Sequence, residues 1–485
     1  MSYIGKKGYS IYKKDLSDKE QLYIKKELSV KAYIPKSPVQ PDPFPVYRES
    51  PQKFYLPRHF GVEHFGDVNE NKLPRGDNIN LQFHGELREY QVNIVNKYIT
   101  AVGESGGGLL DVDPGKGKTV MALNIISQLK KKTLVIVHKS FLLNQWIERI
   151  QQFLPDARVG KIQGQIIDIE DKDIVIGMLQ SLSQKEYPDN MFDSFGLSVY
   201  DETHHLGAEV FSKSMLKCIT NYTLGLSGTM QRKDGLTKVF KMFLGNVIHK
   251  EKSNTSEHKV IVKGIHYKVD DEEFNEMKYD YRGNPLYSTM ISKLCNYNHR
   301  SEFILDVLKK EFEVNKEQQI MILAHNKSLI TYLYKAVEHR NIGSVGYYVG
   351  GMKEEQLKES EGKKIIIATY AMASEGLDIK SLTTLLMASP KTDVCQSVGR
   401  ILRTKHTSPL VIDIIDNHDV FVKQWQKRRK YYMKQKYNII SSDNSKYFDD
   451  KWDTVYDPMN NDASIKKIKK KEEPLKGVCL INLST

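Results

Sequence analysis

The chain has 485 residues, more than one hydrophobic core usually serves, so we expect two or three domains. Hydrophobic residues make up 40% and charged residues 27%, which excludes a disordered chain, and no apolar run reaches the roughly 20 residues of a membrane helix. Lys and Arg number 72 against 60 Asp and Glu, so the net charge is 72 − 60 = +12, which suits a nucleic-acid partner but also fits a generally basic protein.

The amino terminus has no apolar segment typical of a secretory signal. The four cysteines are far apart in the sequence and form no CxxC pair, so we expect reduced thiols, as in proteins of a reducing compartment. We therefore expect a soluble intracellular protein without a membrane partner, located in host cytoplasm or in the virion if the chain is viral.

Residues 1–80 are predicted to form a separate accessory region. The stretch 31–61 is dense in proline and aromatic residues and shows no helical period. That composition is typical of an extended, partly packed arm or of a small accessory domain.

Residues 81–250 alternate between apolar strand-like runs and helical segments. Strands are predicted at 133–139, 173–179, 197–202 and 222–229, and a helix at 140–154. The same alternation returns in residues 251–440, with strands predicted at 318–325, 345–351, 363–369, 383–389 and 409–416, and a helix at 327–340. Continuous apolar strands separated by helices predict an α/β protein with two tandem domains, each a parallel sheet with helices on both faces.

The remaining segments are the junction between the two domains, at roughly residues 251–300, and a basic carboxyl end. Residues 251–259 are polar and are predicted to form a flexible turn. Residues 421–437 predict a basic helix with interleaved aromatics, which suits either nucleic acid or a capping helix packed on the second domain. Residues 441–485 are predicted to be a basic tail, and the lysine run within 464–474 predicts disorder.

The stretch LLDVDPGKGKT, residues 109–119, places a glycine-bearing loop between a strand and a helix. This layout is typical of a phosphate cradle, in which Lys118 contacts the β and γ phosphates and the Thr119 hydroxyl binds Mg²⁺. The longer form of the signature has glycine where this chain has Val112, so the match is to the shorter GxGKT core.

Two carboxylates stand at the end of the strand predicted at 197–202, just past its apolar residues. Asp201 is placed to hold Mg²⁺ and Glu202 to polarise the attacking water. His204 and His205 also suggest a metal site, but adjacent side chains point to different sides and no further ligand cluster lies nearby, so we reject zinc.

The segment QSVGRILR, residues 396–403, supplies positive charge from the second domain. Arg400 and Arg403 lie three residues apart on one helix face, with Gln396 on the same side. An arginine that serves a nucleotide held by the first domain would make hydrolysis depend on domain closure. Two surface arginines on a helix are the alternative.

Taken in order, these stretches resemble the motifs of superfamily 2 DExH helicases and translocases across residues 81–435. The motifs are LREYQ (87–91), DPGKGKT (113–119), VHKSFLLNQW (137–146), GMLQS (177–181), DETH (201–204), LGLSGTMQRKDG (224–235), IIIATYAMASEGLDIKSL (365–382) and QSVGRILR (396–403). The resemblance implies two RecA-like domains, with ATP and Mg²⁺ as cofactors.

The resemblance also implies site residues. The implied catalytic set is Lys118, Asp201, Glu202, Gln396, Arg400 and Arg403, and the implied metal ligands are Thr119 and Asp201. The implied nucleotide contacts are Arg88, Gln91, Asp113, Pro114, Gly115, Lys116, Gly117, Lys118, Thr119, Val120 and Asp378. The implied nucleic-acid contacts are Lys139, Ser140, Gln180, Ser181, Asn326 and Thr369.

Within the superfamily, the motifs are most similar to the XPB-type and restriction-translocase-like group and to helicases of large cytoplasmic DNA viruses. That similarity implies an ATP-dependent helicase or translocase acting on DNA, in viral transcription or genome maintenance, with transcription or replication proteins as partners. The alternatives are an RNA helicase, a duplex translocase that does not separate strands, and a non-catalytic nucleic-acid-binding scaffold subunit. An intact set of Lys118, Glu202 and Arg403 argues against the scaffold.

Overall fold

The computed structural model describes residues 2–33, 39–68, 70–113, 115–201, 208–228, 235–251, 260–375, 379–401 and 409–459. Within these ranges, no helix has both the length and the apolar character needed to cross a membrane. The predicted turn at 252–259 and the lysine run at 464–474 lie outside the described residues.

The amino-terminal region folds into a small α+β module. Its strands are β1 Ser2–Gly5, β2 Gly8–Tyr12, β3 Ser29–Val30, β4 Phe44–Pro45, β5 Arg48–Glu49 and β6 Lys53–Leu56, and its helices are α1 Asp18–Glu27 and α2 Arg58–Phe65. An antiparallel sheet of order β1-β2-β6-β5 forms one layer. Helix α1 starts at a capping box, in which Ser17 and Glu20 satisfy each other's backbone N–H groups. The region thus corresponds to the second alternative, a small accessory domain, because local caps and strand pairing organise its described residues.

This module shares a hydrophobic core with the first α/β sheet. Tyr9 and Phe60 of the module are buried in the same cluster as Phe240 and Phe243 of the following unit. The Arg58 guanidinium donates a hydrogen bond to the backbone oxygen of Asn221 at 2.7 Å. The module is thus packed on the first α/β unit through a shared core.

The first α/β unit is a parallel sheet with helices on both faces. Its strands are β7 Gly107–Val112, β8 Thr133–Val137, β9 Val159–Gln163, β10 Ile166–Ile167, β11 Ile174–Met178, β12 Leu197–Tyr200, β13 Tyr222–Ser227 and β14 Val247–Glu251. Its helices are α3 Glu89–Ser105, α4 Lys118–Leu129, α5 Ser140–Phe153, α6 Leu179–Gln184, α7 Ala208–Met215 and α8 Thr237–Leu244. The strand order is β10-β9-β11-β8-β12-β13-β7-β14, and among the described strands the β9–β10 pair is antiparallel while the others are parallel.

The second α/β unit repeats this plan. Its strands are β15 Ile261–Tyr267, β16 Ile320–Ala324, β17 Val345–Tyr348, β18 Ile365–Thr369, β19 Thr384–Met387, β20 Leu410–Asp416, β21 Asn438–Asp443 and β22 Asp453–Tyr456. Its helices are α9 Glu272–Asn275, α10 Tyr287–Asn296, α11 Asn298–Val314, α12 Lys327–His339, α13 Glu354–Glu361, α14 Tyr370–Glu375, α15 Cys395–Arg400 and α16 Asp419–Lys434. The strand order is β17-β18-β16-β19-β20-β15-β21-β22. The prediction of two tandem α/β domains is confirmed.

The second sheet includes two segments that were predicted from the sequence to lie outside it. Strand β15 lies between β20 and β21, although residues 251–300 were expected to be a connection. The predicted tail boundary at residue 441 falls inside β21, so the second sheet extends at least to β22. The sheet requires these strands because β20 would otherwise be an edge with unpaired backbone groups.

The basic helix, now α16, packs as a capping helix. Arg428 is 1% exposed and forms a bidentate ion pair with Asp413 of β20, at 2.7 and 2.8 Å. Trp425 and Tyr432 are buried in the same core. The alternative in which these three side chains contact nucleic acid is therefore wrong, since β20 supplies the carboxylate that neutralises the arginine.

Candidate nucleotide-binding cleft

The loop between β7 and α4 has the backbone shape of a phosphate cradle. Gly115 has a φ of 83° and Gly117 a φ of 79°. This left-handed region favours glycine, because a Cβ atom there is strained. A Cβ atom on Gly117 would also lie 2.5 Å from Nε2 of Gln91. These two glycines lead the chain into the amino end of α4, where the helix dipole favours an anion.

Side chains of α3 hold this loop in place. Gln91 Nε2 donates a hydrogen bond to the backbone oxygen of Lys116 at 2.9 Å, and the Tyr90 hydroxyl donates to the same oxygen at 3.1 Å. Gln91 Oε1 in turn accepts a hydrogen bond from the backbone N–H of Arg88 at 2.9 Å. Gln91, one of the implied nucleotide contacts, therefore adjoins the phosphate loop, and the structure adds Tyr90, which was not among the predicted residues.

Lys118 and Asp201 lie at the carboxyl-terminal edge of the first sheet. Lys118 is 9% exposed, and its ammonium donates a hydrogen bond to the backbone oxygen of Val112 at 3.4 Å. Thr119 and Val120, both half-buried, complete the first turn of α4 with it. Asp201 follows β12 and is 6% exposed. A buried carboxylate, a hydroxyl and a lysine along one sheet edge are the donor set that a magnesium nucleotide needs.

The sequence missed a partner of Asp201. The indole N–H of Trp146, on α5, donates a hydrogen bond to Oδ2 of Asp201 at 2.8 Å. Trp146 is 1% exposed, so the bond lies away from water, where its electrostatic contribution is large. No sequence signal separates this tryptophan from an ordinary core aromatic, because position 146 lies on the apolar face of α5.

Helix α15 of the second unit faces the phosphate loop. A Cβ atom on Gly115 would lie 3.5 Å from the backbone oxygen of Gly399. Burial raises the pKa of the Cys395 thiol, and the negative charge of Asp113 contributes to the rise. The loop and α15 therefore form opposite walls of one cleft.

Arg400 is held within its own unit. Its Nε donates a hydrogen bond to the backbone oxygen of Ala373 at 2.9 Å, which ties α15 to α14. Gln396 lies on the same short helix. The remaining predicted nucleotide-site residues Pro114, Glu202, Asp378 and Arg403 lie outside the described residues.

The predicted nucleic-acid contacts of the first unit converge at one place. Lys139 and Ser140 follow β8, and Gln180 and Ser181 follow its neighbour β11. Gln180 Nε2 donates a hydrogen bond to the backbone oxygen of His138 at 3.1 Å, and burial lowers the pKa of Lys139. Ser181 Oγ accepts a hydrogen bond from the backbone N–H of Gly164 at 2.9 Å.

The predicted contacts of the second unit also lie together. Asn326 follows β16 and Thr369 ends the adjacent strand β18, where Ala324 and Thr369 are register partners. Asn326 caps α12 by accepting the Ser328 N–H at 2.9 Å. Both sets thus lie at the carboxyl-terminal edges of their sheets, and some of their polar atoms already form hydrogen bonds within their own domain.

Exposed polar pairs join the two units beside the cleft. Asn144 of α5 donates a hydrogen bond to Glu354 of α13 at 2.6 Å. Lys358 of α13 pairs with Glu148 of α5 at 3.1 Å. Exposed pairs of this kind contribute about 0–1 kcal/mol each, so separating α5 from α13 costs little at these contacts.

Comparison with known proteins identifies the family to which the chain belongs. Residues 84–232 match the family model described as type III restriction enzyme, res subunit. Over 475 residues the chain is 36% identical to the protein of Acanthamoeba polyphaga mimivirus named "Putative ATP-dependent RNA helicase L396", covering 95% of this chain and 90% of the viral protein. The chain belongs to the superfamily 2 helicases.

Other relatives of this helicase agree. It is 27% identical over 384 residues to the protein named helicase 161L of Invertebrate iridescent virus 6, covering 75% of this chain and 84% of that protein. Among solved structures, S. cerevisiae Dbp5 bound to RNA and ADP BeF3 superposes with a TM-score of 0.51 at 12% identity, covering 74% of this chain and 91% of Dbp5. The structural match confirms the RecA-like fold, and the sequence relatives confirm an ATP-dependent helicase or translocase of viral type.

Proposed function

We propose that this helicase hydrolyses ATP in the cleft between its two RecA-like domains and uses the resulting domain movement to travel along DNA. The observation that carries the proposal is the placement of α15 against the phosphate loop. The backbone oxygen of Gly399 would lie 3.5 Å from a Cβ atom added to Gly115. A nucleotide in the loop would contact both domains, so its hydrolysis would alter the contacts that hold them together.

The described residues fit a magnesium nucleotide. We assign the phosphates to the loop 113–117 and to Lys118, and the magnesium ion to Thr119 and Asp201. Bound ATP supplies a phosphoryl group whose transfer to water releases free energy. The left-handed glycines of the loop let the backbone approach the phosphates closely, and Gln91 keeps the loop in that shape through Lys116.

The remaining roles are assigned from the motifs. Glu202 positions the attacking water, and Arg403 stabilises the charge that develops during transfer. Arg400 ties α15 to α14 through its bond to Ala373, and with Gln396 and Arg403 it would complete the site from the second domain. We assign Asp378 to the ribose and Gln396 to the phosphate side of the cleft.

The preference for DNA is supported by the res-subunit family model, since a restriction enzyme acts on DNA. The second candidate is RNA, which the printed name of the mimivirus relative favours. Lys139, Ser140, Gln180, Ser181, Asn326 and Thr369 would contact the sugar-phosphate backbone, which alone does not distinguish the two. We further propose a role in transcription or genome maintenance of a large DNA virus, because the mimivirus and iridescent virus relatives are viral proteins.

One experiment separates these candidates. ATP turnover is measured with single-stranded DNA, duplex DNA and RNA of one sequence, and strand displacement is then assayed on the best stimulator. The proposal expects DNA to stimulate more strongly than RNA. Stimulation by RNA alone would favour the second candidate. Stimulation by duplex without strand displacement would indicate a translocase, and absence of turnover with all three would indicate the scaffold.

A further inference from the structure

The outer face of the amino-terminal sheet carries aromatic rings and lysines together. Residues directly opposite each other in an antiparallel pair share a face. Tyr3 is opposite Ser10, Ser10 is opposite Tyr55, and Tyr12 is opposite Lys53. The three tyrosines are half-buried and lie outside the hydrophobic core that joins the module to the first RecA-like domain.

A lysine ammonium lies over each of these rings. The distance from Nζ to the ring centroid is 5.3 Å for Lys7 and Tyr55, 5.6 Å for Lys14 and Tyr12, and 4.8 Å for Lys72 and Tyr3. We call Tyr3, Tyr12, Tyr55, Lys7, Lys14, Lys53 and Lys72 the lysine–tyrosine face.

Lys53 is the centre of the lysine–tyrosine face. Its ammonium lies 5.1 Å from the Tyr3 ring and 4.3 Å from the Tyr12 ring, and it donates a hydrogen bond to the Tyr3 hydroxyl at 3.1 Å. A ring face attracts an ammonium group through its quadrupole. The rings therefore restrict the lysines, so less conformational entropy is lost when an anion binds them.

Positive charge dominates this module. Residues 1–75 contain 14 Lys and Arg and 9 Asp and Glu, a balance of 14 − 9 = +5. Two carboxylates at the margin are held in ion pairs: Glu49 with Lys13, which is not part of the face, at 2.7 Å, and Glu70 with Lys72 of the face itself at 3.0 Å. The face is thus complementary to a polyanion.

The lysine–tyrosine face is separate from the nucleotide cleft. The module contacts the first domain through Asn221, which precedes β13, while the phosphate loop follows the carboxyl end of β7, the parallel neighbour of β13. The contact at Asn221 therefore lies at the amino-terminal end of these strands, opposite the end that carries the phosphate loop. Because the module and the domain share one core, a ligand on the face would move with the first domain.

We propose that the lysine–tyrosine face binds the phosphate backbone of the nucleic acid on which the helicase acts, as a second contact that holds the substrate to the first domain. Ammonium groups and tyrosine hydroxyls suit phosphate oxygens and carry no base-specific pattern, so the contact is independent of sequence. It would keep the substrate attached while the cleft opens and closes.

The test replaces one lysine over each ring in the full-length protein. Lys7→Gln, Lys14→Gln and Lys72→Gln remove three charges from exposed side chains. A matched control removes three exposed charges elsewhere, by Lys309→Gln, Lys316→Gln and Lys335→Gln. A third variant carries arginine at 7, 14 and 72 and keeps the charge. Binding of labelled duplex DNA, single-stranded DNA and RNA is measured at several salt concentrations.

The glutamine variant is expected to bind at least about tenfold more weakly, with a logarithmic salt slope shallower by about 2–3 units, since each phosphate contact contributes about 0.9 on duplex DNA. The control and the arginine variant are expected to stay within about twofold of wild type. ATP turnover without nucleic acid should not change in any variant, which separates this result from a failure of the nucleotide site.

An unchanged affinity and slope in the glutamine variant would overturn the proposal and leave the face to another acidic partner. An equal loss in the control would also overturn it, because the effect would then follow net charge alone. Loss in the arginine variant as large as in the glutamine variant would show that charge is not what binds. Thermal unfolding of each variant confirms that it is folded.

Discussion

Replacing Trp146 with phenylalanine removes the hydrogen bond to Asp201 while keeping an aromatic ring in the core. The bond is 2.8 Å long and joins two buried side chains. A hydrogen bond to an ionised group contributes about 1.5–3 kcal/mol, which corresponds to about 10–100-fold in an equilibrium or a rate. Loss of a group that orients a metal-binding carboxylate has an effect of similar size. We expect turnover at limiting Mg²⁺ to fall by about 10–100-fold and to recover partly at high Mg²⁺.

The matched control is Trp425→Phe, which shortens a buried tryptophan of the second domain that packs near Arg428. Both variants should lose stability, because each leaves a cavity. The assay is ATP turnover against Mg²⁺ concentration, with thermal unfolding alongside. Only Trp146→Phe should shift the Mg²⁺ dependence. The reasoning is refuted if both variants lose similar stability and Trp146→Phe keeps the wild-type Mg²⁺ curve.

Three further predictions concern other parts of the molecule. Arg403→Ala should lower turnover by about 10³-fold or more and leave nucleotide affinity nearly unchanged, because arginine fingers act on the transition state; a fall below about tenfold in single-turnover assays would exclude that role. Burial lowers the pKa of His59 from 6.5 to about 4, so the folded state binds fewer protons than the unfolded state. The contribution of His59 to the free energy of unfolding should be fully present above pH 6.5 and decline as pH falls toward 4, by about 2 kcal/mol at pH 5. His59→Gln should flatten this decline in denaturant titrations at pH 7.5 and 5, and parallel pH curves for the two proteins would contradict the prediction. Deleting residues 464–485 should leave the unfolding temperature unchanged and make the salt slope of nucleic-acid binding shallower by roughly one unit per lost contact, whereas identical slopes would remove the tail from the binding surface.

The strands and helices that were predicted correctly are those whose own residues show a clear apolar pattern. Strands β16, β18 and β20 are continuous buried runs, and α5 and α12 show clear apolar periodicity, so each was predicted from its own residues. Strand β15 was missed because its partners are distant in sequence: Ile261 pairs with Leu410 of β20 and with Asn438 of β21. Its place in the centre of a sheet depends on those partners.

The site shows the same division. The glycine loop and Asp201 were predicted because the chemistry requires those residue types in that order, and the structure brings them to one sheet edge. Trp146 was missed because Asp201, whose carboxylate accepts the hydrogen bond from its indole N–H, lies 55 residues away in sequence. Arg428 was misassigned in one alternative because a basic run resembles a solvated surface, until β20 supplies Asp413 beneath it.

The measurement that tests the central claim most directly is ATP turnover by Glu202→Gln beside its nucleotide affinity, with and without DNA. DNA should stimulate ATP turnover by the wild-type protein. Glu202→Gln should bind nucleotide normally but not turn it over, because only the positioning of water is lost. Lys118→Ala should lose nucleotide binding as well. Wild-type turnover by Glu202→Gln would contradict the account.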